Sequence, residues 1–423
     1  MSTKLRIDIR EDNEGLYFQY FHLDSPSQKA VAAKYRPLQV PIIEEESARL
    51  AAVFETAFRK GNGWVNALRD WGDRGFVEFL PGELQKIISE MEKGTLLWFL
   101  CCETALTFPW ELLHDGNDFI NRKLACGRIV EGNGSGARSL PNPNKKVVIL
   151  ADLAGNLPEA YEEGLYINDL LAEHSRLKSS ASLLSSKPEL VTEAGRESVL
   201  YNLQTAGFVH FCGHSQSTGR DNESGWILSN NERLNLNDIR ELGKRDKVPA
   251  LVISNSCSSS DGGAYSCETF SGIAGAFLSA GVAGYIGTIC AIEDKAAREF
   301  AALYYPSLST EKTFAQALHS LQRNLPVDNP LWAVFRYYGD PEYQYYPEIQ
   351  VTSSKKDEEA SPKMAESCSG ANDSKSKKIW WWLIIAFIIA IIAGWMFIRG
   401  KEASPGNFLY QEGTTSPPAD IVP

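Results

Sequence analysis

Two side chains able to perform nucleophilic chemistry stand at the ends of two apolar runs. The first run, Phe208-Val209-His210-Phe211-Cys212, leads into Gly213-His214-Ser215. The second, Leu251-Val252-Ile253-Ser254, leads into Asn255-Ser256-Cys257-Ser258. Each run has the length of a buried strand and stops in small polar residues. An imidazole and a thiol delivered about 40 residues apart by neighbouring strands form the arrangement of a cysteine nucleophile with its base, His214 deprotonating Cys257. Position alone leaves an idle pair equally open, because polar loops holding Cys or His are common. A metal site competes for the same residues. His210, Cys212 and His214 alternate, and on a strand that puts three good ligands on one face. Against it, no further ligand cluster stands nearby at familiar spacing, and a sheet covered on both faces uses such positions for packing, with His210 a hydrogen-bonded core residue. Serine chemistry is weaker still: residues 254–260 lack the G-x-S-x-G elbow, and Gly132-Asn133-Gly134-Ser135-Gly136 lacks the lysine and helix of a phosphate loop. No cofactor is expected.

Those two strand ends require a sheet, and the chain from 141 onward supplies one. A continuous apolar strand at 147–151 precedes a helix opened by Pro158 and running to about 177. Thr192 caps a second helix, and the strand 208–212 follows. After a short segment around Trp226-Ile227-Leu228 and a helix from about 237 comes the strand 250–254. A helix of small residues at 268–280, a strand at 282–288 and helices at about 294–305 and 313–324 complete the pattern. Continuous apolar strands separated by helices predict an α/β fold, a mainly parallel sheet covered by helices on both faces. Sites in such sheets form beyond the carboxyl ends of strands, where His214 and Cys257 fall.

Residues 1–140 read as a preceding α+β unit. It holds a β-hairpin of 5–10 and 16–23 around Asp12-Asn13-Glu14-Gly15, an amphipathic helix at 44–60, a helix at 81–93 and a buried strand at 95–102. The Gly-, Asn- and Pro-rich run 131–143 marks its boundary. The α/β domain occupies 141–347, and the polar, mixed-charge stretch 348–378 reads as a disordered linker.

At 423 residues the chain exceeds one typical core, and its formal net charge of -11 argues against direct nucleic-acid binding. The eight cysteines show no framework spacing, so buried reduced thiols are expected. Residues 379–398 carry no charge, with Trp380-Trp381-Trp382 at one edge and Trp395 near the other. At about 1.5 Å per residue such a helix spans about 30 Å, the hydrocarbon thickness of a bilayer. Lys363, Lys375, Lys377 and Lys378 on one flank outnumber Arg399 and Lys401 on the other, which predicts a single-pass anchor with the large part cytoplasmic and 399–423 a short outer tail.

The motifs taken together resemble those of CHAT domains, caspase-like cysteine peptidases related to separase. The resemblance rests on His210-Phe211-Cys212-Gly213-His214 and Ile253-Ser254-Asn255-Ser256-Cys257, followed by 270–281, Gly284-Tyr285-Ile286-Gly287-Thr288 leading to Asp294, Trp332-Ala333-Val334-Phe335 and Tyr338-Gly339-Asp340-Pro341. Pro109-Trp110-Glu111-Leu112-Leu113 is similar to the family's lead-in, so the likeness covers about 108–346. It departs from the family at Ser215, where Gly is common, and at Ser258, where an acidic or amide residue is common.

The resemblance implies a caspase-like sheet and peptide-bond hydrolysis by the His214–Cys257 dyad. Backbone N–H groups of Gly213, Ser215 and Cys257 would hold the oxyanion. Asp152 stands where related enzymes can place an acidic pocket residue, with a loop or helix-capping aspartate the alternative, and Asn255 is a second substrate-lining candidate. The implied partners are a protein substrate and an activating protein, in regulated proteolysis such as bacterial defence or cell death, at a bacterial inner membrane. Residues 1–140 would be a degenerate caspase-like half or a sensor. The rival is a non-catalytic membrane scaffold with the same fold.

Overall fold

The computed structural model describes residues 4–345 apart from 25–30, 33–41, most of 43–62, 131–139, 178–186, 217–219, 259–266, 291 and 293. At 256–258 it describes the backbone alone. The expected linker, membrane span and tail (348–423) lie outside the described residues, as does most of the expected helix 44–60. Among the described residues no helix is long and apolar enough to cross a membrane.

The N-terminal hairpin forms as its alternation dictates. β1 (Leu5–Asp12) and β2 (Gly15–His22) pair antiparallel from Leu5↔His22 to Asp12↔Gly15, with β3 (Val31–Ala32) beyond β2. Leu5, Ile7 and Ile9 are buried on one face. β4 (Leu96–Cys101) joins β1 in parallel, and β5 (Ala125–Val130) joins β4 in parallel. The second part of the chain adds β6 (Leu140–Pro141), β7 (Val147–Ala151), β8 (Glu189–Val191), β9 (Phe208–Gln216), β10 (Gly225–Ile227), β11 (Arg233–Asn235), β12 (Lys247–Val248), β13 (Leu251–Ser258), β14 (Gly284–Thr288) and β15 (Phe335–Gly339).

All but β6 and β12 belong to one 13-stranded sheet in the order β11-β10-β9-β13-β14-β15-β5-β4-β1-β2-β3, with β7 beside β9 and β8 beside β7. β7, β9, β13 and β14 are mutually parallel where they pair, whereas β15 is antiparallel to β14 and β10 antiparallel to β9. The segments before and after 140 therefore share a sheet, joined where β15 meets β5 at Tyr338↔Arg128. Gly127 is needed at that seam: a Cβ there would lie 2.6 Å from the carbonyl oxygen of Gly339 and 2.6 Å from Pro341.

Helix starts follow local capping chemistry. Asn235 accepts from the Asp238 amide while the Asp238 side chain accepts from the Asn235 amide, a capping box for the Leu236–Glu241 helix. Thr313 caps the Phe314–Asn324 helix through the Gln316 amide. Thr192, expected to cap the second helix, does not: that helix is Arg196–Thr205 with Gly195 before it, and the three residues before 192 instead pair with β7 as β8.

The lead-in Pro109-Trp110-Glu111-Leu112-Leu113 is buried throughout. Glu111, 2% exposed, accepts on Oε1 from Arg128 Nε at 2.5 Å and on Oε2 from Arg128 Nη2, and Arg336 Nε lies 3.3 Å from the same Oε2. Arg128 also donates to the carbonyls of Leu106 and Phe108. Burial pushes the Glu111 carboxyl up, but the Arg128 charge and hydrogen bonds outweigh it and hold it below its ordinary 4.5. Its contribution is thus complete above the ordinary value and lost as pH falls through the lower folded value. Arg128 stands on β5 and Arg336 on β15, so one carboxylate ties the lead-in to both sides of the seam.

Removing one partner of a buried ion group strands the others, at a cost of about 3–5 kcal/mol. Glu111→Ala is expected to lower the unfolding free energy by that amount, read from the midpoint of a urea titration, with the apparent slope unchanged.

Candidate active site

β9 and β13 are neighbours in one parallel ladder that runs from Leu251↔Phe208 to Ser258↔Ser215. Cys257 is in register with His214, Asn255 with Cys212, and Ile253 with His210. Adjacent strands lie about 4.8 Å apart, so residues 214 and 257 stand side by side at the backbone. Both strands run further than their apolar cores. They reach Gln216 and Ser258, past the 212 and 254 that the apolar runs suggest. Positions 214 and 257 are therefore on rungs of the ladder, not on loops beyond it. Gly213 and Ser215 lie in those rungs too, opposite Ser256 and Ser258. Ser215 is fully buried and also pairs with Trp226 of β10.

Alternation gives β9 two unlike faces. On one, Phe211 stacks on Trp226 with ring centroids 4.1 Å apart, and Trp226 packs on Phe277 of the Cys267–Ala280 helix. On the other, His210 and Cys212 meet side chains of the Pro158–Leu177 and Asp294–Leu308 helices. Here Asn255 Nδ2 donates to Glu163 Oε1 at 2.7 Å and lies 3.1 Å from His210 Nε2. His210 Nδ1 is 2.9 Å from the Tyr305 hydroxyl, and the Cys212 thiol hydrogen-bonds Glu163. His210 is completely buried, Glu163 is 2% exposed and Asn255 5%. Because the Asn255 nitrogen must donate to the carboxylate, it also donates to His210 Nε2, which assigns the imidazole proton to Nδ1 and its bond to Tyr305.

Glu163 was not among the residues singled out from sequence, although a signal existed. Ala160, Glu163, Gly164, Ile167 and Leu171 are the buried positions of one helical stripe, and a carboxylate in such a stripe calls for a partner. Gly164 lets the helix sit low enough for that carboxylate to reach β13. A Cβ at 164 would come within 2.3 Å of the Ala151 Cβ.

Of the expected metal trio, His210 and Cys212 lie together, and among the described residues Glu163, not His214, completes their cluster, with donor atoms within 4.8 Å of one another. The Asn255 amide nitrogen serves both Glu163 and His210, two of the three donors of that set, where a cation would otherwise bind. Burial, then the Glu163 charge and hydrogen bond, push the Cys212 thiol well above its ordinary value, which keeps it protonated. The cluster fits a hydrogen-bonded array better than a metal centre, although Asn255 Oδ1 has no hydrogen-bond partner among the described residues. Asn255, expected to line the substrate, spends its amide nitrogen inside this array.

His214 is partly buried, and its Nδ1 has no hydrogen-bond partner among the described residues. Burial lowers its pKa from the ordinary 6.5, while the charge of Asp152 opposes that shift. Its imidazole is thus neutral near pH 7, the state a base requires. Asp152 follows β7, takes a left-handed φ of 47°, and donates its N–H to the Cys212 carbonyl at 2.9 Å. Its Oδ1 accepts from the amides of Asn156 at 3.0 Å and Leu157 at 2.9 Å, just ahead of the Pro158–Leu177 helix. A capping role and a charge near His214 thus coexist in one carboxylate.

Comparison with known proteins gives a family and distant folds. No curated protein matches the chain. Among solved structures, separase of Saccharomyces cerevisiae in its complex with securin aligns with 14% identity and a TM-score of 0.38, over 61% of this chain and 16% of that one. A structure described only as a protease aligns with 10% identity over 66% of this chain and 68% of that one, TM-score 0.38. RgpB of Porphyromonas gingivalis, a complex of pro- and mature domains, aligns with 10% identity over 62% and 69%, TM-score 0.39. The chain thus spans about one sixth of the separase it aligns with. The CHAT domain model matches residues 79–389, most of the chain and including both candidate residues, and this chain belongs to the CHAT domain family.

Proposed function

We propose that this chain is a cysteine endopeptidase in which His214 and Cys257 act as a dyad. The observation that carries the reading is the parallel register of β9 and β13, which sets Cys257 directly beside His214. His214 takes the Cys257 thiol proton, and the thiolate sulfur attacks the scissile carbonyl carbon. As the tetrahedral oxyanion collapses the C–N bond breaks, and the proton on His214 passes to the leaving amine. Water, deprotonated by the same imidazole, then hydrolyses the thioester and returns the thiol. Backbone N–H groups of Cys257 and of Gly213 and Ser215 are the proposed oxyanion donors.

Asp152 is the proposed acidic side of the substrate pocket, suited to a basic residue. The uncharged apolar stretch 379–398 supports anchoring in a membrane, with the peptidase on the cytoplasmic side of a bacterial inner membrane. An activating protein partner and a role in defence or cell death extend the same reading.

A peptide electrophile is expected to modify Cys257 in the folded full-length chain and His214→Ala to slow it about 100-fold or more. Folded wild type that is unmodified at 257 would leave the scaffold reading in its place. In cells, new protein N-termini made by the wild type and absent with Cys257→Ala would identify the substrate.

The pH profile has a definite sign. A protonated His214 cannot accept a proton, so the rate falls as pH drops through its pKa, below the ordinary imidazole value of 6.5. Asp152 holds that pKa up, so Asp152→Asn, which keeps an oxygen for the Asn156 and Leu157 amides, moves the acid limb to still lower pH. If Asp152 lines the pocket, the same variant raises KM for peptides with a basic residue before the cut.

A further inference from the structure

Below the dyad lies the Glu163–Asn255–His210 array, with Asn255 two residues back from Cys257 on β13 and His210 four residues back from His214 on β9. Asn255 precedes Cys257 by two positions on β13 and Cys212 precedes His214 by two on β9, and Asn255 and Cys212 are in register. The two-residue period of a strand places all four positions on one face of the sheet. The array therefore reaches from the layer immediately beneath the reacting pair, at Asn255, to the next layer down, at His210, on the same face of the two strands that carry the pair.

We infer that this array is the positioning device of the dyad: Asn255, held by Glu163 and His210, fixes the height and register of the β13 tip against β9. The inference rests on the peptidase reading. Glu163 comes from the Pro158–Leu177 helix, His210 from β9, Tyr305 from the Asp294–Leu308 helix and Asn255 from β13. Four elements meet in one chain of hydrogen bonds, Glu163 accepting from Asn255, Asn255 donating to His210, and His210 donating to Tyr305. An apolar array of similar volume would fill the same space without choosing a register. The directional donor and acceptor sequence does choose one, because a slide of β13 would break both bonds of Asn255 at once. Asn255 and Glu163 are positioning residues in this inference, since their bonds tie β13 to β9 and to the Pro158–Leu177 helix.

The test exchanges the donor and the acceptor. Asn255→Asp puts a carboxylate against Glu163. The double variant Glu163→Gln with Asn255→Asp reverses the bond, the new amide at 163 donating to the new carboxylate at 255. Full-length protein is treated with iodoacetamide across a pH series, modification at position 257 is followed by peptide mass spectrometry, and thermal unfolding is recorded in parallel. A displacement of about 1 Å can cost on the order of 100-fold, so Asn255→Asp is expected to slow modification by about that factor, and the double variant to recover at least about ten-fold. In peptide cleavage the loss falls on kcat with KM little changed.

A purely structural role would lower the unfolding temperature of Asn255→Asp while leaving the rate of the folded protein at the wild-type value, and that result overturns the inference. So does a folded double variant no faster than the single one. Should Asn255→Asp not fold, Tyr305→Phe, which removes only the hydroxyl beyond His210, is expected to slow the rate several-fold, and an unchanged rate overturns the inference. A wild type unreactive at Cys257 would instead sink the peptidase reading on which it rests.

Discussion

In a parallel ladder a slip of one residue turns every side chain to the opposite face. Between β9 and β13 that slip would carry position 257 away from position 214, and the whole site depends on its not happening. What opposes it is direction: Asn255 of β13 shares its amide nitrogen between Glu163 and His210. On the opposite face the aromatic column of Phe211, Trp226 and Phe277 holds β9 to β10 and to the Cys267–Ala280 helix by shape. Shape alone tolerates repacking, whereas a buried hydrogen bond with one permitted geometry does not.

The two buried glutamates solve opposite problems. Glu111 is surrounded by guanidinium groups and fastens the lead-in to β5 and β15, so its charge is neutralised in place. Glu163 is met by the Asn255 amide and the Cys212 thiol, both neutral donors. A carboxylate matched by cations contributes strength to a join. One satisfied only by dipoles depends on the orientation of each of them, which suits a place where orientation is the requirement.

How much of this was legible in the sequence varied with the range of the interaction. His214 and Cys257 stood out because each follows an apolar run, and from Val147 onward the expected strands and helices occur in the expected order, with β8, β11, β12 and β15 added among them. The hairpin of β1 and β2 followed from local alternation. The full lengths of β9 and β13 did not, because Gly213–Ser215 and Asn255–Ser258 are small and polar and become strand only through each other. The helix expected to be capped by Thr192 starts only at Arg196. Asn255 was noticed for its position near the cysteine, yet its amide points to Glu163, a residue 92 positions earlier. The join of β15 to β5 had no local signature at all, so the stretch 131–143 looked like a boundary while the sheet runs on across it.

That join also sets a timetable for the nascent chain. β5 is complete at Val130, but the strand that covers its free edge ends at Gly339, roughly 200 residues later. At about 5–20 residues per second the ribosome leaves β5 an open edge for some 10–40 s. Throughout that interval its backbone N–H and C=O groups can pair with any passing strand, and Arg336 has not yet arrived beside Glu111. The hazard lies in synthesis and ends with the last strand: an edge that invites aggregation in the half-made protein becomes an interior seam in the finished one.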